Sequence, residues 1–464
     1  MKFKGLLFVL FLMVTSTISA QKQVKYDVGI SSSIGKDGDL PFWLVSNKRG
    51  VVPSENYVMT DFTLGMNFND NQKDKIDFMW KASGLGYTGH QSDLLLDELF
   101  VGLRWKIFNF SLGQKSDDVI YNGISSTNGN LLYSNNARSY PRYEFSIPNW
   151  TDVPFLKGIL SFKGLLSDGL TTDNRYTDNA RIHHKNFYVK FFKDSKLSAS
   201  AGMEHYALWS GTHPESGKIS GGLDKYFKIF TGSGDDDGAF INDEYRLGDH
   251  IGSWRFDLYY TEEKFSLNAY YQSVFEDGGG RKFRSFPDAL YGLYYTKKAN
   301  ENSFIRSAII EFYHTTDQSG DKFGLIDGIA YGGRDNYFNH SEYKSGWTHY
   351  GRVIGSPLFI TGESNGHTII ANNRFKAVHL GVKGYLGSIP YKTYLTFSKN
   401  YGTYAVPYEN SLNQFSGLVE LTIPAKKLPF KIDVACAMDK GKLLKDNLGF
   451  FIRLSKSGIL YNKP

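Results

Sequence analysis

The chain has 464 residues, room for roughly two to four globular domains or one large β architecture. Lysine and arginine number 53 against 47 aspartates and glutamates, and the resulting +6 is neither a nucleic-acid-binding arm nor an acidic tail. A mean hydropathy of −0.35 excludes a polytopic helical membrane protein, and 41% hydrophobic with 22% charged residues excludes a disordered chain. The 16% of aromatic residues, beside 48 glycines and 13 prolines, suits a transmembrane β-barrel, which hides its hydrophobicity by alternation. A single cysteine, Cys436, excludes an intramolecular disulfide framework and any cysteine-cluster metal site.

The first segment reads as a sorting signal. Lys2 and Lys4 form a basic start, Gly5–Val14 is an apolar core too short to span a bilayer, and Thr15–Ala20 is small and weakly polar. Cleavage after Ala20 is the expectation, giving a signal peptide over 1–20 and a barrel domain over 21–464. The mature chain, two lysines poorer, carries +4. Its single thiol reads as a small packing residue.

Beyond this point the chain reads as strands with a period of two. Val58, Thr60, Phe62, Leu64, Met66 and Phe68 share one face, and Asp61, Gly65, Asn67 and Asn69 the other. Leu99, Val101, Leu103 and Trp105 alternate with Glu98, Gly102 and Arg104, and Trp254, Phe256, Leu258 and Tyr260 with Arg255, Asp257 and Tyr259. Phe450, Ile452 and Leu454 oppose Phe451, Arg453 and Ser455. A soluble sandwich also alternates, but two features favour a barrel. Aromatics recur near strand ends (Trp105, Phe108, Tyr259, Tyr260, Tyr294, Tyr295, Tyr391, Tyr394), as interfacial girdles do. Short connections, such as Lys106–Ile107 and Glu262–Glu263, also alternate with long ones. The long ones are Lys36–Glu55, Lys115–Pro141, Ser167–His184, Ala207–Asp249, Glu276–Asp288 and Thr315–Arg374. The count is about eighteen antiparallel strands, from Val24–Ser33 to Asn447–Lys456, with short periplasmic turns, long outer loops and both termini in the periplasm. Pro148 and Pro154 interrupt the expected strand in Arg142–Phe155.

Within Ala207–Asp249, Leu223, Tyr226, Phe227 and Phe230 fall at helical spacing, a short helix and a candidate plug of the barrel mouth. Asp235, Asp236 and Asp237, with Asp243 and Glu244, read as a solvated acidic turn rather than a calcium loop, whose spacing they do not match. The longest loop holds Arg334, Asp335, Asn336, Tyr337, Asn339, His340, Trp347, Tyr350 and Arg352. Such mixtures bind sugars, because ring faces take sugar CH groups and planar polar groups take hydroxyls. The alternative is that these rings pack the loop while its charges pair internally.

The segment Arg334–Leu358, RDNYFNHSEYKSGWTHYGRVIGSPL, resembles the signature stretch of the Wzi-type capsule assembly proteins of Bacteroidetes-like bacteria. Asp39–Trp43 (DLPFW), Asp97–Gly113 and Leu380–Gly384 (LGVKG) support the resemblance over essentially the whole mature chain. It implies an outer-membrane barrel of a Gram-negative bacterium that acts as a lectin for capsular or other surface polysaccharide. The partners are then the polymer, outer-membrane lipid and the polysaccharide export machinery, with no nucleic acid, no cofactor and no metal.

Catalytic constellations are weak. His183 and His184 are adjacent and point oppositely on a strand, and no H-E-x-x-H or G-x-S-x-G motif occurs in context. Gly278–Gly280 lacks the residues of a phosphate cradle. Glu98, Glu204 and His205 read as ordinary polar lumen residues, so no enzyme is expected. Two readings follow, a surface lectin with a blocked bore or a porin or specific sugar channel with an open one.

Overall fold

The computed structural model describes residues 23–70, 75–219, 221–232, 247–276, 283–298, 302–326, 329–424 and 428–462. The expected signal peptide, the acidic turn of Asp235–Asp237, Asp243 and Glu244, and Gly278–Gly280 lie outside them.

Eighteen strands form one closed antiparallel sheet. The first six are β1 Gln23–Gly35, β2 Tyr57–Met66, β3 Asp77–Gly89, β4 Asp93–Trp105, β5 Phe108–Gln114 and β6 Pro141–Asp152. Next come β7 Leu160–Leu170, β8 Arg181–Phe191, β9 Leu197–Trp209, β10 Asp249–Thr261, β11 Phe265–Ser273 and β12 Ala289–Lys297. The last are β13 Ser307–His314, β14 Phe375–Leu386, β15 Ile389–Gly402, β16 Pro407–Ile423, β17 Lys431–Gly441 and β18 Asn447–Asn462. Closure is made by β1, which pairs with β2 on one side and with β18 on the other, from Gln23↔Asn462 to Gly35↔Gly449. The last strand is therefore longer than its alternation suggests, because the residues beyond Leu454 complete the seam. Closure leaves no unpaired edge, the condition for a sheet in lipid.

The six long connections all leave one end of the barrel. Alternation divides the wall as expected: Phe62, Leu258 and Phe450 are exposed on the exterior, while Arg453 in the lumen pairs with Asp27 and Asp61. Pro148 falls in a register break between Ile147 and Thr151, where a residue without an N–H costs no ladder bond. Five of the eight expected girdle residues, Trp105, Phe108, Tyr260, Tyr295 and Tyr391, face outward, and Tyr259, Tyr294 and Tyr394 face the lumen. Trp105 and Tyr260 are exposed outside. Tyr394 is buried in the lumen, its hydroxyl on the Gly123 carbonyl, and Tyr294 receives a hydrogen bond from Asn122 there. Neighbours such as Tyr259 and Tyr260 must face opposite sides of a strand.

The bore is filled by the connection between β5 and β6. Its residues reach the wall on many sides. Asn122 donates to Ser307, the first residue of β13 and hence near the periplasmic rim, at 2.7 Å. The Ile124 carbonyl lies 3.0 Å from His379 Nε2. Gly381 permits this approach, since a Cβ there would sit 2.0 Å from the Ile124 oxygen. Asn130 donates to Glu204 at 2.7 Å, and the Leu131 N–H to Gln272 at 2.8 Å. At the centre Glu311, buried on β13, accepts from Ser125 Oγ and Tyr270 OH at 2.6 Å, from the Ser126 N–H at 2.8 Å, and from Ser126 Oγ and Tyr313 OH.

The predicted helix forms over Leu223–Thr231, but it lies outside the barrel wall and does not enter the mouth. His183, which it contacts, faces outward, whereas His184 faces the lumen and meets Glu204 at 2.9 Å. His205, expected in the lumen, also faces out, opposite in parity to Glu204. A second short helix, α1 (Phe42–Val45), drops into the bore from the β1–β2 connection; the Leu223–Thr231 helix is α2. In α1 the indole of Trp43 donates to Thr396 at 3.2 Å and packs against Tyr394.

Candidate functional site

The Arg334–Leu358 segment is largely occupied with holding its own fold. Arg334 adopts a left-handed backbone (φ 61°) and donates through Nε to the Asp321 carbonyl at 2.6 Å. Asp335 accepts from Ser319 at 2.6 Å, and Asn336 Oδ1 accepts from Asn339 and Asn373 at 3.1 and 2.7 Å. Asn339 also clamps the Ile370 backbone in both directions, and His340 Nδ1 accepts the Glu342 N–H. Tyr337 is fully buried with its hydroxyl on Asp288 at 3.1 Å. Trp347 is fully buried too, and its indole N–H donates to the Leu132 carbonyl of the plug at 2.6 Å. Tyr337 and Trp347 thus present no ring face to a sugar, which corrects their expected stacking role. A loop of this length needs its own core, and burying large rings supplies it.

Of the expected residues Arg334, Asn336 and Tyr350 are exposed and Arg352 is partly so, but the polar atoms of Arg334 and Asn336 are engaged within the loop. Tyr350 is 40% exposed at the turn of the hairpin Thr348–His349/Arg352–Val353. Its hydroxyl donates to the Thr172 carbonyl at 3.0 Å, and the Arg138 guanidinium lies 3.9 Å above its ring. Arg352 lines a cleft of about 280 Å³. The same cleft is walled by Asp39, Leu40 and Phe42 of the DLPFW segment, by Phe359, and by Asp439 and Lys445 near the β17–β18 turn. The Phe42 N–H donates to Asp439 at 2.8 Å, and Asn447 to the Asp39 carbonyl at 2.9 Å, so the DLPFW segment is pinned to the last hairpin. Lys445 lies 3.7 and 3.8 Å from Asp37 and Asp39. Arg352 makes one long hydrogen bond, 3.4 Å to the Val52 carbonyl, and has no carboxylate partner among the described residues. Burial draws its pKa down from the ordinary arginine value, yet guanidinium remains the charged form at neutral pH. The result is a half-buried cation beside apolar walls, a site for a carboxylate or a hydroxyl-rich ligand.

His349, next to Tyr350 and paired with Arg352 across the hairpin, is buried. Its Nδ1–H donates to the Arg138 carbonyl at 2.7 Å, and its Nε2 accepts the Thr172 N–H at 3.2 Å. Burial pulls its pKa down to about 4, against the opposing pull of Asp173. The unfolded chain takes up this proton near pH 6.5 and the folded loop only near 4. Protonation therefore favours unfolding of the loop, and the folded loop's stability is complete above about pH 6.5 and falls as pH drops towards 4. Limited proteolysis of the outer loops is expected to run faster at about pH 5 than at about pH 7.5, and His349→Gln to flatten that difference.

The family model of the capsule assembly protein Wzi matches residues 28–379, well over half of the chain. The chain belongs to the Wzi capsule assembly family. The match includes DLPFW and the whole of Arg334–Leu358 but ends before Leu380–Gly384, so that piece and the last four strands stand outside it. No curated protein matches the chain. Among solved structures it is similar to Wzi of Escherichia coli, described as an outer membrane protein involved in group 1 capsule assembly and a carbohydrate-binding β-barrel. That likeness has a TM-score of 0.58 at 12% identity and covers 96% of this chain and 86% of that one. OccK3 (OpdO) of Pseudomonas aeruginosa matches at TM-score 0.47 and 11% identity, over 95% and 96% of the two chains. OccAB4 of Acinetobacter baumannii matches at 0.45 and 10%, over 94% and 99%. Within the Wzi-family stretch, Arg138, Phe42 and Phe359 are residues that sequence reasoning missed as parts of a site. Only DLPFW signalled one of them, since the meeting of 39–42 with 352–359 is a property of the folded loops.

Proposed function

We propose that this Wzi-family protein sits in the outer membrane of a Gram-negative bacterium, delivered there by the 1–20 signal peptide. There it holds capsular or related surface polysaccharide at its outer face, supporting the polymer's assembly or attachment after it leaves the export machinery. The observation that carries the reading is Arg352, a cation without a carboxylate partner among the described residues, in an outer cleft above a bore closed by the β5–β6 connection. Phe42 and the Tyr350–Arg138 stack offer apolar and planar surface beside it, and Arg334, Asp335, Asn336, Tyr337, Asn339, His340 and Trp347 act by fixing the loop. The binding is non-enzymatic. A long polymer engaging many copies gains avidity from individually weak sites. A filled bore speaks against the channel reading.

Arg352→Gln tests the site. Losing a charge-assisted contact of about 1.5–3 kcal/mol is expected to weaken binding of an acidic capsular polymer by roughly ten- to a hundredfold. Heat-modifiability on a gel is expected to be unchanged. Equal polymer affinity in the folded variant removes this cleft as the site.

A further inference from the structure

The nine-residue helix α2 rests on the outside of the barrel, and what it covers and what it exposes are both unusual for a loop. Its Tyr226 ring lies 5.4 Å from His183 and 5.5 Å from Trp209, and Phe230 lies 5.7 Å from His183 with the Lys185 ammonium 4.2 Å above it. These wall residues point away from the lumen. His183 and Lys185 share a face of β8 with Phe187, which is 57% exposed, and Trp209 shares a face of β9 with Leu197, which is 55% exposed. Ile229 is fully buried against this wall with Ala207 and Trp209.

Beneath and beside the helix the outward face turns polar near its outer rim. Arg181 pairs with Asp168, which also accepts the Trp209 indole N–H at 2.9 Å, and His205 Nε2 lies 2.9 Å from His250 Nδ1. Polar and charged groups on the lipid face of a barrel carry a cost that grows with depth, and a covering helix removes it. The helix does not turn a polar back to the surroundings. Leu223 is 80% exposed and Phe227 67%, and with Phe230 they fall at i, i+4 and i+7, one apolar stripe. This stripe lies beyond the exposed exterior residues Phe145 and Phe187 towards the outer rim, so it extends the lipid-facing band. The helix also carries Lys225 and Lys228, the mixture found in helices that lie at a headgroup boundary.

We propose that α2 is an interfacial helix of the outer leaflet, with Leu223 and Phe227 in the acyl chains. It seals the polar upper wall of β7–β10 from lipid and sets the depth of the loops above it. The occupant of its exposed face is lipid, not protein and not polysaccharide.

The test places an environment-sensitive dye on the helix. In a Cys436→Ser background, Phe227→Cys is labelled with bimane and the full-length mature protein is inserted into phosphatidylcholine liposomes with brominated acyl chains. Phe187→Cys on the wall is the membrane reference. The expected result is bromine quenching at position 227 of at least about half that at 187, with little quenching by aqueous iodide. Iodide quenching without bromine quenching overturns the proposal. Leu223→Cys serves if the first variant fails to insert, and the same outcomes apply.

Discussion

Replacing Glu311 by alanine is expected to turn a silent barrel into a conducting one. Its carboxylate gathers five donors, from Ser125, Ser126, Tyr270 and Tyr313, and three of them belong to the plug. Removing the acceptor leaves these neutral donors stranded in a buried place, a loss of about 1–3 kcal/mol for each group that finds no new partner. The barrel has an independent source of stability in its closed ladder of eighteen strands. The loss therefore falls on the plug, which the remaining contacts from Asn122, Ile124 and Asn130 hold less firmly. Planar-bilayer recordings are expected to show no steps for the wild type and frequent openings for Glu311→Ala, with heat-modifiability retained. Glu311→Gln, which keeps one acceptor oxygen and the shape, is expected to fall between them. A variant as silent as the wild type would show that this carboxylate does not hold the plug.

Trp347→Ala is expected to abolish polysaccharide retention without touching the ligand. The indole is fully buried, lies 5.2 Å from the Tyr206 ring and ties the longest loop to the plug through Leu132. Truncating a buried tryptophan costs about 3–5 kcal/mol. That cost is borne by the loop that carries Tyr350 and Arg352, while barrel insertion is expected to persist. Retention on cells and protease resistance of the loop over 315–374 are expected to fall together. Trp347→Phe, which restores much of the volume, is expected to recover part of both. Lost retention in a loop that stays fully protease-resistant would return Trp347 to a direct contact with sugar.

The strands were legible because lipid outside and polar lumen inside impose a period of two that each residue must obey. The same period explains the divided girdle at Tyr259/Tyr260 and Tyr294/Tyr295, and the exterior position of His205 beside the luminal Glu204. An apolar stripe announced α2, yet a stripe does not say on which side of a wall it will lie. The plug was invisible for a related reason. Ser125, Ser126 and Asn130 look like residues of a solvated loop, and a polar lumen asks for the same composition as water does. In the long loop the aromatic and charged residues were found, but their division into internal fasteners and presented groups depends on contacts up to 300 residues away, as between Arg352 and Val52.

The most direct measurement is the binding of purified capsular polymer from the parent bacterium to the wild-type protein in nanodiscs, followed by interferometry across a salt series. Saturable binding that weakens as salt screens the cleft's cation is the expected result. No binding at any salt concentration, from protein that is folded and inserted, would contradict it.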